Sequence, residues 1–330
     1  MDRIAFIKDT LDFSKPIKST TWLLDNGTQV NHLARGIIEI APKNPSSKAI
    51  VLSSGIHGNE TSPIEILNDI INDIQDGSLV LQHPCLFIYG HPAATHQHIR
   101  FIDTNLNRLF LHHQAPDDAI QEVAIANQLM SSVDDFYAKY SEKEKWHLDL
   151  HCAIRRSKHY TFAIHPFNRH YQRSEPLLQF LKQSQIEACL YSDAPASTFS
   201  WYSAEHHGAH AATVELGKVS RMGENDFSLL SGFIQELKRF ISSSDTNATE
   251  LSNREIAEYQ VTRSIMKKSD EFEFSFAADL SNFTYFEEGE SLALDGVDHY
   301  KANSGGESVV FPNANVEIGH RACLLVQKCK

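Results

Sequence analysis

Cysteine is scarce in this sequence, and its few copies form no close pair. Five cysteines are scattered over 330 residues, and no two have the spacing Cys-x-x-Cys. A disulfide framework typically uses an even, clustered set, and a cysteine zinc site uses close pairs. The sequence therefore favours neither, and we expect a reduced protein whose metal ligands, if any, are other residue types.

Positive charge and long apolar runs are also lacking. Lys and Arg number 30 against 42 Asp and Glu, a net charge of −12, whereas a nucleic-acid binder needs clustered cations. No apolar run approaches the roughly 18 residues of a membrane span, and the first residues lack the continuous apolar core of a secretory signal. We expect a cytoplasmic protein that binds neither nucleic acid nor membrane. A small anionic substrate stays possible, because a few buried arginines set the field inside a cleft.

Apolar residues are present at an ordinary 42%, enough for the core of one large domain plus one small domain. Strand-like apolar runs alternate with helix-like patterns, which is typical of an α/β sheet with helices on both faces. Strands are predicted at 49–54, 85–89, 146–151, 160–164 and 212–216, and helices at 61–74, 117–140, 174–183 and 226–240.

A polar stretch divides the chain. Residues 242–253 (SSSDTNATELSN) contain little apolar material, which is typical of a linker. Beyond it, the segments FEFSF, SLALDG, SVVF and CLLVQK are separated by Gly, Asn, Asp and Pro and predict strands. We predict a larger domain over residues 1–245 and a small β-rich domain over residues 250–330.

The sharpest local motif is Gly-Ile-His-Gly-Asn-Glu at residues 55–60, between a predicted strand and a predicted helix. His57 and Glu60 share one tight turn at the carboxyl end of the strand, where open α/β sheets place their sites. Catalytic zinc commonly has two His and one Glu, and His151, which ends the strand WHLDLH, fits the missing place. Asp149 lies on the same strand face and would support the site. His-x-x-Glu alone is common by chance, and a lone His at a strand end is usually packed or solvated.

Two arginines and an amide lie within the stretch RFIDTNLNR, residues 100–108. The planar guanidinium groups of Arg100 and Arg108 match a carboxylate, and Asn107 adds a donor. Such a set would hold an anionic substrate and polarise a carbonyl. Taken alone, however, a solvated basic stretch is the better interpretation.

Glu215 is a carboxylate in the otherwise apolar strand ATVEL. Its burial is unfavourable unless the group is paired or functional. Beside a zinc-bound water it would accept a proton and return it to a leaving amine. A structural ion pair explains the residue about equally well.

In this order, the motifs GIHGNE, NLNR, DLH and VELGK resemble the succinylglutamate desuccinylase and aspartoacylase family. Members are zinc amidohydrolases whose fold is similar to that of the zinc carboxypeptidases. The resemblance covers about residues 50–240 and implies a mixed central sheet with helices on both faces, a small β-rich C-terminal domain and one zinc ion per chain. The implied roles are zinc ligands for His57, Glu60 and His151, catalytic carboxylate for Glu215, carbonyl polarisation for Arg100, amino-acid carboxylate binding for Asn107 and Arg108, and a cleft contact for Tyr285.

Two positions depart from the family pattern. Asn105 stands where the family often has Asp, and Glu205 stands where aspartoacylases have a substrate-binding arginine. The stretch AIRRSK at residues 153–158 resembles the desuccinylase branch instead. The resemblance therefore implies hydrolysis of N-succinyl-L-glutamate to succinate and L-glutamate, in arginine catabolism. Arg155, Arg156 and Lys158 are candidates for binding the succinyl carboxylate, or else a surface basic cluster.

Alternative functions stay open from the sequence. The nearest is the same chemistry on another small anionic N-acyl amino acid, such as N-acetyl-L-aspartate. A second is a metal-binding regulator that keeps the fold without catalysis, against which Glu215 argues. A third is a structural protein in which the motifs are accidental.

Overall fold

The structure is a computed structural model that describes residues 5–115, 117, 119–170, 173–244 and 254–329. In these ranges the strands are β1 (Thr20–Leu23), β2 (Gln29–Ala34), β3 (Ile37–Ala41), β4 (Lys48–Ser54), β5 (Cys85–Tyr89), β6 (Glu144–Ala153), β7 (Thr161–His165), β8 (Ala188–Tyr191), β9 (His210–Lys218), β10 (Ala257–Met266), β11 (Glu273–Phe274), β12 (Thr284–Phe286), β13 (Ser291–Asp295), β14 (Asp298–Lys301), β15 (Glu307–Val310) and β16 (Arg321–Lys328). The α-helices are α1 (Phe6–Leu11), α2 (Ser62–Asp76), α3 (Pro92–His96), α4 (Gln121–Lys139), α5 (Glu175–Gln183), α6 (Phe199–His207) and α7 (Ser231–Ser242). Short 3-10 turns lie at Leu106–Arg108 and Ser228–Leu230.

One mixed sheet extends through most of the molecule. Its strand order is β1-β2-β3-β5-β4-β6-β9-β7-β8-β10-β16-β15-β12. The centre is parallel, since β4 pairs in parallel with both β5 and β6, and β6 pairs in parallel with β9. β7 runs antiparallel to β9. The predicted mixed α/β sheet is confirmed.

Both faces of the central sheet are buried under helices. Along β4, Ile50 and Leu52 pack in one cluster with α2, whereas Ala49 and Val51 pack in another with α4. A strand that is buried on both faces is continuously apolar, which is why the run AIVL predicts it. Helix α2 ends at Gly77, whose φ of 84° is a left-handed conformation that suits glycine. None of the described helices combines the length and apolarity needed to cross a membrane.

Several elements differ from the sequence prediction. The helix predicted from residue 117 begins at Gln121, and the helix predicted from residue 226 begins at Ser231 after a 3-10 turn. The sequence pattern does not predict the antiparallel strands β1, β2 and β3 or the helix α6. Helix α6 has no amphipathic pattern because its first six residues are all buried.

The C-terminal part is rich in strands, as predicted, but it continues the central sheet. Strand β10 pairs in parallel with β8, and β16, β15 and β12 extend the same sheet beyond it. A separate small sheet has the order β11-β13-β14. Of the predicted linker, residues 245–253 lie outside the described residues, and the boundaries 1–245 and 250–330 stay predictions.

Candidate active site

Three side chains meet where β4 and β6 end. Nδ1 of His57 is 2.9 Å from one carboxylate oxygen of Glu60, and Nδ1 of His151 is 2.8 Å from the other. The two Nδ1 atoms are 3.2 Å apart. All three residues are buried, and one ligand atom from each lies within 4.8 Å of the others. Two imidazole nitrogens and one carboxylate oxygen in this arrangement fit Zn²⁺ and leave a position for water.

A close backbone approach shapes the turn that holds two of these side chains. A Cβ atom at Gly58 would lie 2.3 Å from backbone atoms of Ala94 and Thr95 in α3, so only glycine fits. The Gly58 amide donates to the Arg100 carbonyl at 3.1 Å. The turn is thus tied directly to the loop that contains Arg100.

The outer nitrogens of both histidines have acceptors. Nε2 of His57 is 3.0 Å from Oδ1 of Asn105, and Nε2 of His151 is 2.9 Å from Oδ2 of Asp149. Each contact uses Nε2 as the donor and leaves Nδ1 facing the cluster, where it could bind a metal ion. The support expected from Asp149 is present in the geometry, and the role of Asn105 emerges only from the fold.

Burial and charge set the ionisation of the cluster. Burial lowers the pKa of His57 to about 4. Burial also lowers the pKa of His151. The charges of Asp149 and Glu60 outweigh this effect and hold the His151 pKa well above its ordinary value. Burial raises the pKa of Glu60, yet the charges of His57 and His151 hold it well below the ordinary value. Glu60 is therefore an anion, which is the form in which a carboxyl group binds a metal ion.

Glu215 lies beside the cluster on the neighbouring strand. Its partner in the parallel register is His151, and it is 7% exposed. Among the described residues, its Oε2 atom has no hydrogen-bond partner. Burial, followed by the nearby Glu60 charge, raises the pKa of Glu215 to about 7. A carboxyl group of this kind takes up and releases protons near neutral pH.

Arg100 reaches the same cluster from a loop. Its Nη1 donates to Glu60 at 2.6 Å, and its side chain is 30% exposed, so it faces both the cluster and solvent. The loop is held by Glu122, whose Oε1 accepts from the amides of Ile102 at 2.8 Å and Asp103 at 3.1 Å. Nε2 of His91 is also 3.0 Å from this oxygen. Glu122 is fully buried and positions the Arg100 loop.

Asn107 and Arg108 follow in the 3-10 turn. Asn107 is buried, and its Oδ1 accepts from the Phe199 amide at 2.9 Å, at the start of α6. Arg108 is accessible to solvent, yet the surrounding protein desolvates its guanidinium, which, followed by the charges of Arg321 and Arg100, lowers its pKa to about 10. No acidic side chain of the described chain forms an ion pair with Arg108. It is thus available for an anionic ligand.

Arg321, the first residue of β16, is a candidate site residue that the sequence does not reveal. It is accessible to solvent, yet the surrounding protein desolvates its guanidinium and lowers its pKa. Its charge helps to lower the pKa of Arg108, so the two guanidinium groups lie near each other. No motif marks this arginine, because it simply opens an apolar strand.

The remaining predicted site residues have other contacts in the described structure. Arg155 donates to the Ala278 carbonyl, and Arg156 and Lys158 are exposed. The Tyr285 hydroxyl donates to the Gly305 carbonyl at 3.2 Å, and this tyrosine is 54% exposed. None of the four forms a hydrogen bond or ion pair with the His–Glu–His cluster, and their substrate roles stay predictions.

Two further residues have contacts that explain their presence. Glu205 forms an ion pair with Arg169 rather than facing the cluster. The Cys152 amide donates to Glu60 at 3.1 Å, and burial raises the pKa of its thiol well above the ordinary value. Cys152 thus supports Glu60 through its backbone, and its thiol is a poor nucleophile.

A mixed α/β sheet with a His–Glu–His cluster at the ends of neighbouring parallel strands defines a class of metallohydrolase-like proteins. More particularly, the chain belongs to the succinylglutamate desuccinylase/aspartoacylase family. The catalytic-domain model of that family matches residues 46–241, and the AstE/AspA barrel-sandwich hybrid domain model matches residues 254–329. The predicted family resemblance is confirmed.

Individual relatives are similar over nearly the whole chain. A Vibrio parahaemolyticus protein named succinylglutamate desuccinylase is 44% identical over 330 residues, covering 99% of this chain and 95% of the relative. The crystal structure of succinylglutamate desuccinylase from that organism has a TM-score of 0.91 at 44% identity, covering 98% of this chain and 95% of the other. The corresponding structure from Chromobacterium violaceum has a TM-score of 0.85 at 30% identity, with coverage of 100% and 99%.

Proposed function

We propose that this protein is a zinc-dependent amide hydrolase that cleaves N-succinyl-L-glutamate to succinate and L-glutamate. The proposal rests on one juxtaposition, the convergence of His57, Glu60 and His151 beside the titratable carboxyl group of Glu215. The relatives named succinylglutamate desuccinylase, at 44% identity over the full chain, support this substrate.

Nδ1 of each histidine and a carboxylate oxygen of Glu60 would hold one zinc ion per chain. When bound, zinc polarises a carbonyl group and lowers the pKa of water as a Lewis acid. The cluster is nearly closed to solvent, which strengthens its electrostatic effects. Asn105 and Asp149 keep the two rings oriented with Nδ1 toward the ion.

Glu215 moves the proton in this scheme. Burial raises its pKa toward neutrality in the metal-free site, and this carboxylate would take a proton from the attacking water and return it to the nitrogen of the departing glutamate. The new C–O bond forms first at the amide carbon, and the C–N bond then breaks as the proton held by Glu215 completes the amine of L-glutamate, which leaves succinate. Its unpartnered Oε2 atom leaves one oxygen free for this transfer.

The arginine side chains and Asn107 would stabilise the developing charge and bind the carboxylates of the substrate. Arg100, beside Glu60, stabilises the negative charge that develops on the amide oxygen. Asn107 and Arg108 bind the α-carboxylate of the substrate, since a guanidinium group binds a carboxylate with two parallel hydrogen bonds. Arg321 lies near Arg108 and would bind a further carboxylate.

The number of carboxylates favours the desuccinylase substrate. N-succinyl-L-glutamate has three, whereas N-acetyl-L-aspartate has two. Three arginines near one another, two of them without acidic partners in the described chain, suit the more highly charged molecule. Other N-acyl amino acids are the alternative, and we place the enzyme in the cytoplasm and in arginine catabolism.

Release of L-glutamate from N-succinyl-L-glutamate tests the proposal. We expect turnover by the zinc-loaded protein, loss of turnover after chelation, and slower release of aspartate from N-acetyl-L-aspartate. A zinc-loaded protein that cleaves N-acetyl-L-aspartate faster would overturn the substrate but keep the chemistry. A protein that binds no stoichiometric metal would overturn the chemistry.

A further inference from the structure

A row of buried polar side chains continues from Asp149 into the core. Ser53 on β4, His147 on β6 and Ser203 on α6 are each 0% exposed, as is Asp149 itself. Buried polar groups are unfavourable in an apolar core unless each finds a partner. The surroundings on this face are apolar, since the His147 ring packs at 4.7 Å between ring centroids against Phe199, which is also fully buried.

The contacts form one continuous line of hydrogen bonds. Oγ of Ser53 is 2.6 Å from Oδ1 of Asp149 and 2.8 Å from Nε2 of His147. Nδ1 of His147 is 2.7 Å from Oγ of Ser203. At the other end, Oδ2 of Asp149 is 2.9 Å from Nε2 of His151. Ser203 is thereby connected to a predicted metal ligand through four hydrogen bonds.

The direction of every bond in this line follows from donor chemistry. An ionised carboxylate only accepts, so the Ser53 hydroxyl gives its single proton to Asp149. Ser53 must then accept from Nε2 of His147, and the neutral imidazole accepts at Nδ1 from the Ser203 hydroxyl. Burial supports the neutral form, because it lowers the pKa of His147 to about 4.

The strand register explains how the line is assembled. His147, Asp149 and His151 alternate along β6 and therefore lie on one face of the sheet. Ser53 is the parallel partner of Asp149 on the neighbouring strand β4. Helix α6 lies on the same face and brings Ser203 to the far side of His147.

We propose that Ser203, His147 and Ser53 form a positioning chain that fixes the carboxylate of Asp149 and, through it, holds the His151 ring with Nδ1 facing the metal. This inference rests on the metal site of the proposed function. Both carboxylate oxygens of Asp149 are engaged, one by Ser53 and one by His151, so the group has no freedom to rotate. These three are positioning residues, since none belongs to the metal cluster itself.

The test compares two serines that are adjacent on β4. Ser53→Ala removes the donor to Asp149, whereas Ser54→Ala removes an equally buried hydroxyl whose bond goes to the Ile88 carbonyl at 3.3 Å. Zinc affinity is measured by chelator competition on each full-length protein, and ligand geometry is read from the visible absorption of the cobalt-substituted forms. Melting temperature reports folding separately.

We expect Ser53→Ala to weaken zinc binding by about 10-fold, the lower end of the effect for groups behind a ligand, and to change the cobalt spectrum. Ser54→Ala should leave both unchanged. Equal affinities and identical spectra for a folded Ser53→Ala protein and wild type would overturn the positioning chain. A wild-type protein without stoichiometric metal would instead overturn the proposed function.

Two further variants keep the proposal testable. Ser203→Ala lies at the outer end and decides the question if Ser53→Ala does not fold; we expect a smaller change in the same direction, and no change would overturn the chain. In an Asp149→Asn background, Ser53→Ala should have little further effect on zinc affinity, because both changes act through one carboxylate. Additive effects would contradict the chain.

Discussion

Oδ1 of Asn105 lies 3.0 Å from Nε2 of His57, so a neutral amide supports one predicted metal ligand while the Asp149 carboxylate supports the other. The Asn105 oxygen also accepts from the Asn107 amide at 3.0 Å, which fixes its orientation. This contact gives a role to the position at which the chain departs from the family pattern.

Because Asn105 is neutral, we expect that a charged side chain at this position would raise the zinc affinity. Asn105→Asp keeps the acceptor oxygen and adds a charge, which makes the His57 ring more basic and should tighten zinc binding by about 10-fold. Asn105→Ala, which removes the acceptor, should weaken binding by a similar factor. Chelator competition measures both; an Asn105→Asp protein that binds zinc no more tightly than wild type would contradict the electrostatic role of this position.

We expect the ionisation of Glu215 to determine the acid side of the pH dependence of kcat/KM. Since Glu215 must be ionised to accept a proton, kcat/KM should rise as pH increases through the pKa of this carboxyl group, which a bound zinc ion would lower from the value of about 7 in the metal-free site. Glu215→Gln should lower kcat by about 10²- to 10⁴-fold at equal zinc content. Near-normal turnover by a zinc-loaded Glu215→Gln protein would remove this carboxylate from the mechanism.

The same group predicts how the stability of the metal-free protein depends on pH. Burial raises the Glu215 pKa from 4.5 to about 7, so the folded state binds the proton more tightly than the unfolded state. The contribution of protonated Glu215 to the free energy of unfolding is complete below pH 4.5 and is lost as pH rises through about 7. At 1.36 kcal/mol per unit of pKa, the loss amounts to at most about 3 kcal/mol. Urea unfolding at pH 5 and pH 8 should show a smaller decrease for Glu215→Gln than for wild type; equal decreases would refute this.

The central sheet and much of the candidate cluster are predictable from sequence for physical reasons. Continuous apolar runs identify the doubly buried strands, and polar residues at the ends of two of them identify His57, Glu60 and His151. The contact between Asn105 and His57 is not predictable, because no local period relates a loop residue to a distant turn. Its discovery requires the folded chain.

Other elements escape prediction for a different reason. Helix α6 is buried around most of its circumference and therefore lacks the apolar stripe that marks a surface helix. Arg321 comes near Arg108 only because β10 pairs with β8 and continues the sheet into the C-terminal strands. The polar texture of residues 242–253 suggests an independent domain, whereas strand pairing across it joins the two parts.

We expect the loss of the Glu122 carboxylate to slow catalysis through the loop that contains Arg100, without weakening zinc binding. Its Oε1 atom holds the amides of Ile102 and Asp103, next to Arg100. Glu122→Ala should free the loop and lower kcat by about 10-fold, since a small misplacement of a positioning group is costly. Glu122→Gln, which keeps an acceptor oxygen in place, should restore most of the rate. Zinc content serves as the control, and equal rates for Glu122→Ala and wild type would contradict the role.

We expect the loss of Arg321 to weaken the binding of only those substrates that have a third carboxylate. If it binds the acyl carboxylate of N-succinyl-L-glutamate, Arg321→Ala should raise KM for that substrate by about 10-fold or more, because a charge-assisted hydrogen bond contributes about 1.5–3 kcal/mol. N-acetyl-L-glutamate lacks this carboxylate, so its KM should change little. Arg156→Ala, at an exposed arginine of the stretch 153–158, is the matched comparison. If Arg156→Ala raises KM for N-succinyl-L-glutamate more than Arg321→Ala does, the acyl carboxylate binds at the stretch 153–158 and not at Arg321. Only the arginine that contacts this carboxylate can discriminate between the two substrates.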